Sequence, residues 1–347
     1  MAILDERHRQ VLTAVIREYV ETGEPVGSRA VARRQGLGLS PATIRNAMAD
    51  LEELGYLSQP HTSAGRVPTD LAFRFYVDWG LGDLRLPEGD AARLRQNYAR
   101  PQGGIEQFME QTSLHLSVLS HMTGVLLAPP LKQTALARIT LIPLSDDRVL
   151  AVVVTDAGWV TTRTLTVDSP VAEEDLREWS RQLTRRFVGK TFQEILDQIS
   201  APPDPLDPLR ARGGVLVDQV FSLLRDRRLY IGGAPNILEH REFGDLATMR
   251  TLLRAFEEKA RLIDLLSALA DERGVRVMIG RENPVEEMQE CSLVTARYTY
   301  HDRVLGILGV VGPKRMAYSK MIPLVDETAR LVSESLSRAR HELYLPS

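Results

Sequence analysis

Apolar positions recur at helical spacing from Val11 to Tyr19 (Val11, Leu12, Val15, Ile16, Tyr19), and Asp5 stands where it can cap that helix. Gly23 to Gly27 interrupts the stripe. Ser28 offers an oxygen to the open amides of a short second helix, Arg29 to Arg34, and Gly36 and Gly38 make a turn. Ser40 caps a third helix with Pro41 at its first position, where a missing N–H costs nothing. Its inward stripe is Ile44, Ala47, Met48, Leu51 and Leu54; Thr43, Arg45, Asn46 and Asp50 face out. Gly55 ends the helix, Tyr56 and Leu57 begin a strand, Pro60 to Gly65 form a loop of small polar residues, and Arg66 and Val67 return. This order predicts a winged helix-turn-helix, whose third helix enters a DNA major groove.

Beyond it, residues 70–79 (DLAFRFYVDW) read as a helix whose aromatic surface should pack on this module or on a partner, and Leu81 to Gly89 reads as a boundary. A helix is predicted at 105–121, strands at Leu136–Leu144, Val149–Val154 and Val160–Val167, and a helix at Glu173–Phe187. Strands resume at Val275–Ile279, Ser292–Tyr300 and Val304–Val311, before a closing helix from Ile322 to Glu342. Strands flanking helices indicate an α+β sheet domain. Between them, the proline-rich APPDPLDP (Ala201–Pro208) opens a mostly helical interval with helices at Val215–Arg225 and Leu246–Ala270, which suggests an insertion. The expected domains are 1–80; a discontinuous sheet domain at 90–200 and 275–345; and an inserted domain at 201–274.

A chain of 347 residues, 44% apolar and 26% charged, can bury two or three cores. No apolar run reaches the roughly 18 residues of a membrane span, and the acidic start (Asp5, Glu6) is unlike a signal peptide, so the cytoplasm is expected. A lone cysteine, Cys291, excludes an internal disulfide and any multi-cysteine metal site. The net charge of -3 carries no global sign of nucleic acid, but Arg29, Arg33, Arg34 and Arg45 lie in a run free of acids. GPKRMAYSK (Gly312–Lys320) lacks phosphate-loop spacing, so Lys314, Arg315 and Lys320 read as surface or interface charges. Asp146-Asp147 reads as a solvated turn. No nucleophile elbow, HExxH or paired metal-ligand spacing occurs, so no catalytic site, metal or cofactor is expected.

Arginine can chelate guanine and asparagine can pair with adenine, so Thr43, Arg45 and Asn46 are the candidates for base readout. Ser40, Thr62, Ser63 and Arg66 are the candidates for backbone and groove contact, with His61 a polar histidine in the same loop. GYLSQPHTSAGRVPTDLAFRFYVD (Gly55–Asp78), preceded by ATIRN, resembles the amino-terminal domain of the heat-inducible repressor family HrcA; Ala72 and Phe73 depart from its commonest pattern. YIGGAPNILEHREF and TARYTYHDRVLGILGVVGPKRMAYSKMIPLVD are similar to later HrcA segments, so the likeness spans the chain. The resemblance implies a GAF-like domain interrupted by a dimerisation insertion. It further implies a homodimer that represses chaperone genes at a CIRCE inverted repeat in double-stranded DNA, assisted by the GroE chaperonin. The alternative is a winged-helix regulator with a small-molecule effector site in the GAF-like domain.

Overall fold

The computed structural model describes the chain apart from residues 1–3, 35, 62–63, 83, 99–104, 129–133, 157–159, 168, 201–219, 221–227, 271–273, 301–302 and 344–347. The amino-terminal head comprises α1 (Glu6–Thr22), α2 (Ser28–Arg34), α3 (Pro41–Glu53), a ladder of β1 (Leu57–Ser58) and β2 (Val67–Pro68), and α4 (Asp70–Phe75). Asp5 caps α1 through His8 N–H, and Thr69 caps α4 through Ala72 N–H. Val11, Leu12, Val15 and Ile16 of α1 meet Val31, Ile44, Met48 and Leu51 in one buried cluster.

Three readings of the head need adjusting. Helix α2 begins at Ser28 itself, and the Gly27 carbonyl accepts from Ala30 and Val31. Leu54 is 45% exposed, because α3 stops at Glu53 and the left-handed Gly55 (φ 80) turns the chain before Leu54 can continue the stripe. Phe73, Phe75 and Tyr76 are buried, but Trp79 is 72% exposed. A π-helical turn over Tyr76–Gly80 follows α4, and its wider winding carries Trp79 off the buried face.

The body continues with α5 (Glu88–Tyr98), α6 (Ile105–Ser120) and β3 (Thr123–Leu127). Next come β4 (Leu136–Ser145), β5 (Arg148–Thr155), β6 (Val160–Thr166), α7 (Glu173–Phe187) and α8 (Phe192–Ser200). Then follow β7 (Leu229–Gly232), α9 (Leu246–Glu257), α10 (Lys259–Leu269), β8 (Val275–Ile279), β9 (Cys291–Tyr300), β10 (Arg303–Pro313) and α11 (Tyr318–Leu343).

Five strands form an antiparallel sheet in the order β7-β3-β10-β9-β8. Alternation along β10 splits its faces: Leu308 and Val310 join the core with α11, whereas Ile307 and Val311 join a second cluster with Leu252, Phe256, Leu262 and Leu266 of α9 and α10. Glycines let α6 lie close on this sheet, since a Cβ at Gly124 or Gly232 would strike the Ser113 backbone.

Strands β4, β5 and β6 form a separate three-stranded sheet. Its inner face, Ile139, Leu141, Val149, Ala151, Val153 and Leu165, packs with Leu176, Leu183 and Phe187 of α7 and Phe192 and Ile195 of α8. Thr184 Oγ1 accepts from Ile139 N–H at 3.0 Å and Ser180 Oγ from Leu141 N–H at 2.9 Å, which closes the free edge of β4.

This topology corrects the expected layout. Strand β7, from inside the 201–274 interval, is an edge of the five-stranded sheet, and α9 and α10 cover one of its faces. The segment that leaves that sheet is instead 136–200. The helix expected over Leu246–Ala270 breaks at Glu258 (ψ 59). The helix expected at Val215–Arg225 lies outside the described residues except for the buried Val220.

Candidate nucleic-acid interface

Ser40 stands in extended backbone ahead of α3, and its Oγ accepts the Thr43 N–H at 3.1 Å. The two hydroxyl groups also meet at 2.9 Å, so Ser40 and Thr43 are locked to each other at the helix amino end. Pro41 occupies the first turn. With Ile44, Ala47, Met48 and Leu51 buried, Arg45 and Asn46 point to solvent one turn from that end. Arg29 and Arg33 of α2 are exposed as well.

A histidine braces this helix from behind. His8 Nδ1 meets Asp5 Oδ1 at 2.7 Å and Nε2 meets Asp50 Oδ2 at 3.2 Å, tying the start of α1 to the middle of α3. The Asp5 carboxyl is held below its usual range, chiefly because it accepts the His8 backbone N–H. Asp50 therefore serves the fold, although its outward position had placed it with the polar face.

The ladder is held at its base. Val26 and Arg66 exchange both backbone hydrogen bonds, at 2.8 and 2.9 Å, adding the segment before α2 to the edge of β2. Gly65 permits this approach, because a Cβ there would lie 2.5 Å from the Val26 carbonyl carbon. The Arg66 guanidinium lies 2.8 Å from Glu52 Oε2 as an ion pair without aligned hydrogen-bond geometry. Arg66 thus fastens the ladder to the carboxyl end of α3, a role that sequence reasoning missed because Glu52 was not considered as its partner. His61 is exposed, and its carbonyl accepts the Ala64 N–H at 2.8 Å. Thr62 and Ser63 fall outside the described residues.

Chemically, the exposed set offers the Arg45 fork, the Asn46 amide and the dipole of a capped helix start, suited to base edges and anions. Among the described residues no group of three or more His, Cys, Asp or Glu could hold a metal ion, and no helix is long and apolar enough to cross a membrane.

The chain is thus modular: a helical head with an exposed polar helix end, mounted on a mixed α/β body. The family model described as the HrcA protein C terminal domain matches residues 106–322. Curated relatives named heat-inducible transcription repressor HrcA include that of Geobacter sulfurreducens, 43% identical over 97% of this chain and 99% of the relative. Those of Syntrophobacter fumaroxidans (38%, covering 97% and 98%) and Desulforamulus reducens (35%, covering 96% and 98%) align over the same extent. The chain belongs to the HrcA family, whose members are transcription repressors and not enzymes. A crystal structure of a hypothetical protein, 24% identical, covers 97% of this chain and 99% of its own with a TM-score of 0.68, so the overall fold is shared.

Proposed function

We propose that this protein represses heat-shock chaperone genes by binding, as a homodimer, a CIRCE-type inverted repeat in double-stranded DNA, with help from the GroE chaperonin. The carrying observation is the solvent-facing Arg45 and Asn46 at the capped start of α3, beside a two-stranded ladder. In this reading the head is a winged helix-turn-helix: α3 enters the major groove, Thr43, Arg45 and Asn46 read bases, and Ser40 with the loop at His61, Thr62 and Ser63 meets phosphates. Arg66 acts through its ion pair with Glu52, by aiming the ladder. The five-stranded sheet with its flanking helices is the GAF-like part.

A two-fold dimer presents two identical helices, so its operator must be an inverted repeat. The outer face of β4–β6 supports a dimer. Its cross-strand rows are Ile142, Leu150 and Thr164; Thr140, Val152 and Thr162; and Arg138, Val154 and Val160. Such a β-branched, largely uncharged surface is suited to burial against a second copy.

Fluorescence anisotropy on a CIRCE-type duplex and a scrambled duplex at equal salt, with and without chaperonin, tests the reading. Preference for the repeat, strengthened by chaperonin, is the expected result. A folded dimer that binds both duplexes equally, chaperonin present, would sink it.

A further inference from the structure

The head meets the body along a charged seam. On the head side stand the carboxyl end of α1 and the whole of α4. On the body side stand three separate segments: the turn after β8, the turn after β10, and the 3-10 turn Arg241–Phe243 that precedes α9. Arg74 of α4 donates Nε–H to Glu282 Oε1 at 2.8 Å and Nη2–H to the Val277 carbonyl at 2.7 Å, and it also pairs with the second Glu282 oxygen. The Glu282 carboxylate is itself fixed by the Ile279 N–H at 2.8 Å. Asp70, at the start of α4, accepts the Arg281 N–H at 3.0 Å and lies 3.3 Å from Lys314 Nζ, which in turn reaches Glu290 at 3.0 Å.

The third anchor lies on α1. Arg315 donates to the Val20 carbonyl at 3.3 Å and pairs with Glu242, while Glu24 pairs with Arg241. Between the anchors Phe73 rests on Tyr318 with ring centroids 6.1 Å apart. Gly280, at φ 52, brings the body backbone against the Asp70 carboxylate, where any Cβ would collide. A cavity of about 650 Å³ lies in the same seam, lined by Tyr19, Thr69, Asp70, Glu242, Lys314 and Arg315.

Anchors to three separate body segments restrain a rigid body against rotation, whereas one contact would leave a swivel. The covalent connection cannot do this, since the described residues between Gly80 and Glu88 form no regular element. The charged groups surround a buried apolar contact, since Phe73 and Tyr318 belong to one cluster that runs from head to body, and these ion pairs can be removed while the caps and stripes of each part remain.

We infer that Arg74, Glu282, Asp70 and Lys314 are positioning residues that set the angle of the DNA-reading helix on the body, and thereby the spacing between half-sites that the dimer accepts. The inference rests on the proposed dimeric reading of DNA. A dimer whose heads are clamped reaches two half-sites at one separation and one helical phase. Heads on loose tethers tolerate several.

The test uses the full chain and labelled CIRCE-type repeats with the usual spacer or a spacer five base pairs longer, plus a duplex carrying a single half-site. Five base pairs turn one half-site by about half a helical turn. The wild type is expected to lose about tenfold or more on the longer spacer. Arg74→Ala on the head, or Glu282→Ala on the body, should keep half-site affinity yet lose less than about threefold, with the double variant no worse than either single. Unaltered spacer discrimination in variants with intact half-site binding overturns the proposal, as does an equal loss on every duplex. If Arg74→Ala no longer melts cooperatively, Lys314→Ala carries the comparison, because the Arg281 amide still holds Asp70. A wild type that prefers no repeat over scrambled DNA overturns the DNA reading itself, and the seam's role falls with it.

Discussion

Arg45 and Arg66 were assigned to the same surface, yet their surroundings separate them. Arg45 is exposed on a helix whose opposite face is fully buried, so its fork is available to a ligand. Arg66 is drawn onto Glu52. Arg45→Ala is expected to reduce discrimination between operator and scrambled DNA by about 1–3 kcal/mol while sparing nonspecific affinity, measured as the ratio of two dissociation constants at one salt concentration. Equal losses on both DNAs would remove Arg45 from base readout. Caps and punctuation on this module were legible because they are local: Ser40, Pro41 and Gly55 each answer one backbone need. The Arg66–Glu52 pair joins a loop to a helix end across fourteen residues, and periodicity carries no trace of it.

Cys291 is a second residue-scale case. It is completely buried where β9 begins, and desolvation pushes its thiol up to about 12. At pH 8 the thiolate, the reactive form, is then on the order of one part in ten thousand of the folded protein. Ellman's reagent is expected to leave the native chain untouched and to label one thiol in 6 M guanidinium. Rapid labelling of the native chain would show that this strand opens.

At the scale of elements, helix α7 matched its sequence limits because a strongly amphipathic segment flanked by turns leaves one solution. Strand β3 (TGVLL) went unread, being buried on both faces and so lacking alternation, and β7 (LYIG) is only four residues long. The break between α9 and α10 at Glu258 has no glycine or proline to announce it. Gly124 and Gly232 were unread because their meaning lies in what approaches them. The Ser113 backbone sits over both. Gly124→Ala should therefore destabilise the body by roughly 1–3 kcal/mol through overpacking, seen as a lower urea midpoint with an unchanged slope. A midpoint equal to wild type would mean that α6 can retreat from the sheet at no cost.

For the molecule as a whole, composition pointed to the proline-rich interval as the foreign piece, and sheet order points elsewhere. Hydrogen-bonded pairing decides membership of a sheet, and sequence proximity does not reveal that β3 skips β4–β6 to pair with β7 and β10. Among the described residues, β4, β5 and β6 form ladders only with one another, while Leu136 exchanges backbone hydrogen bonds with Gly189 and Lys190 and α7 closes one edge. What they leave outward is the row centred on Val152, flanked by Thr140 and Thr162, with Ile142 (42% exposed) and Val160 (45% exposed) at opposite corners. If this face joins two copies, Val152→Asp places a carboxylate in the contact, where it loses water and gains no partner. In an isolated chain the same side chain faces solvent and costs only its lower strand preference, about 1 kcal/mol or less. Sedimentation velocity is therefore expected to show a folded monomer in place of a dimer. Binding to the full repeat should weaken towards that of a single half-site, because the second head is no longer delivered by the first. A Val152→Asp chain that remains a dimer at micromolar concentration would move the dimer contact off this sheet, and the search would turn to the uncovered side chains of α6, Leu114 and Val118.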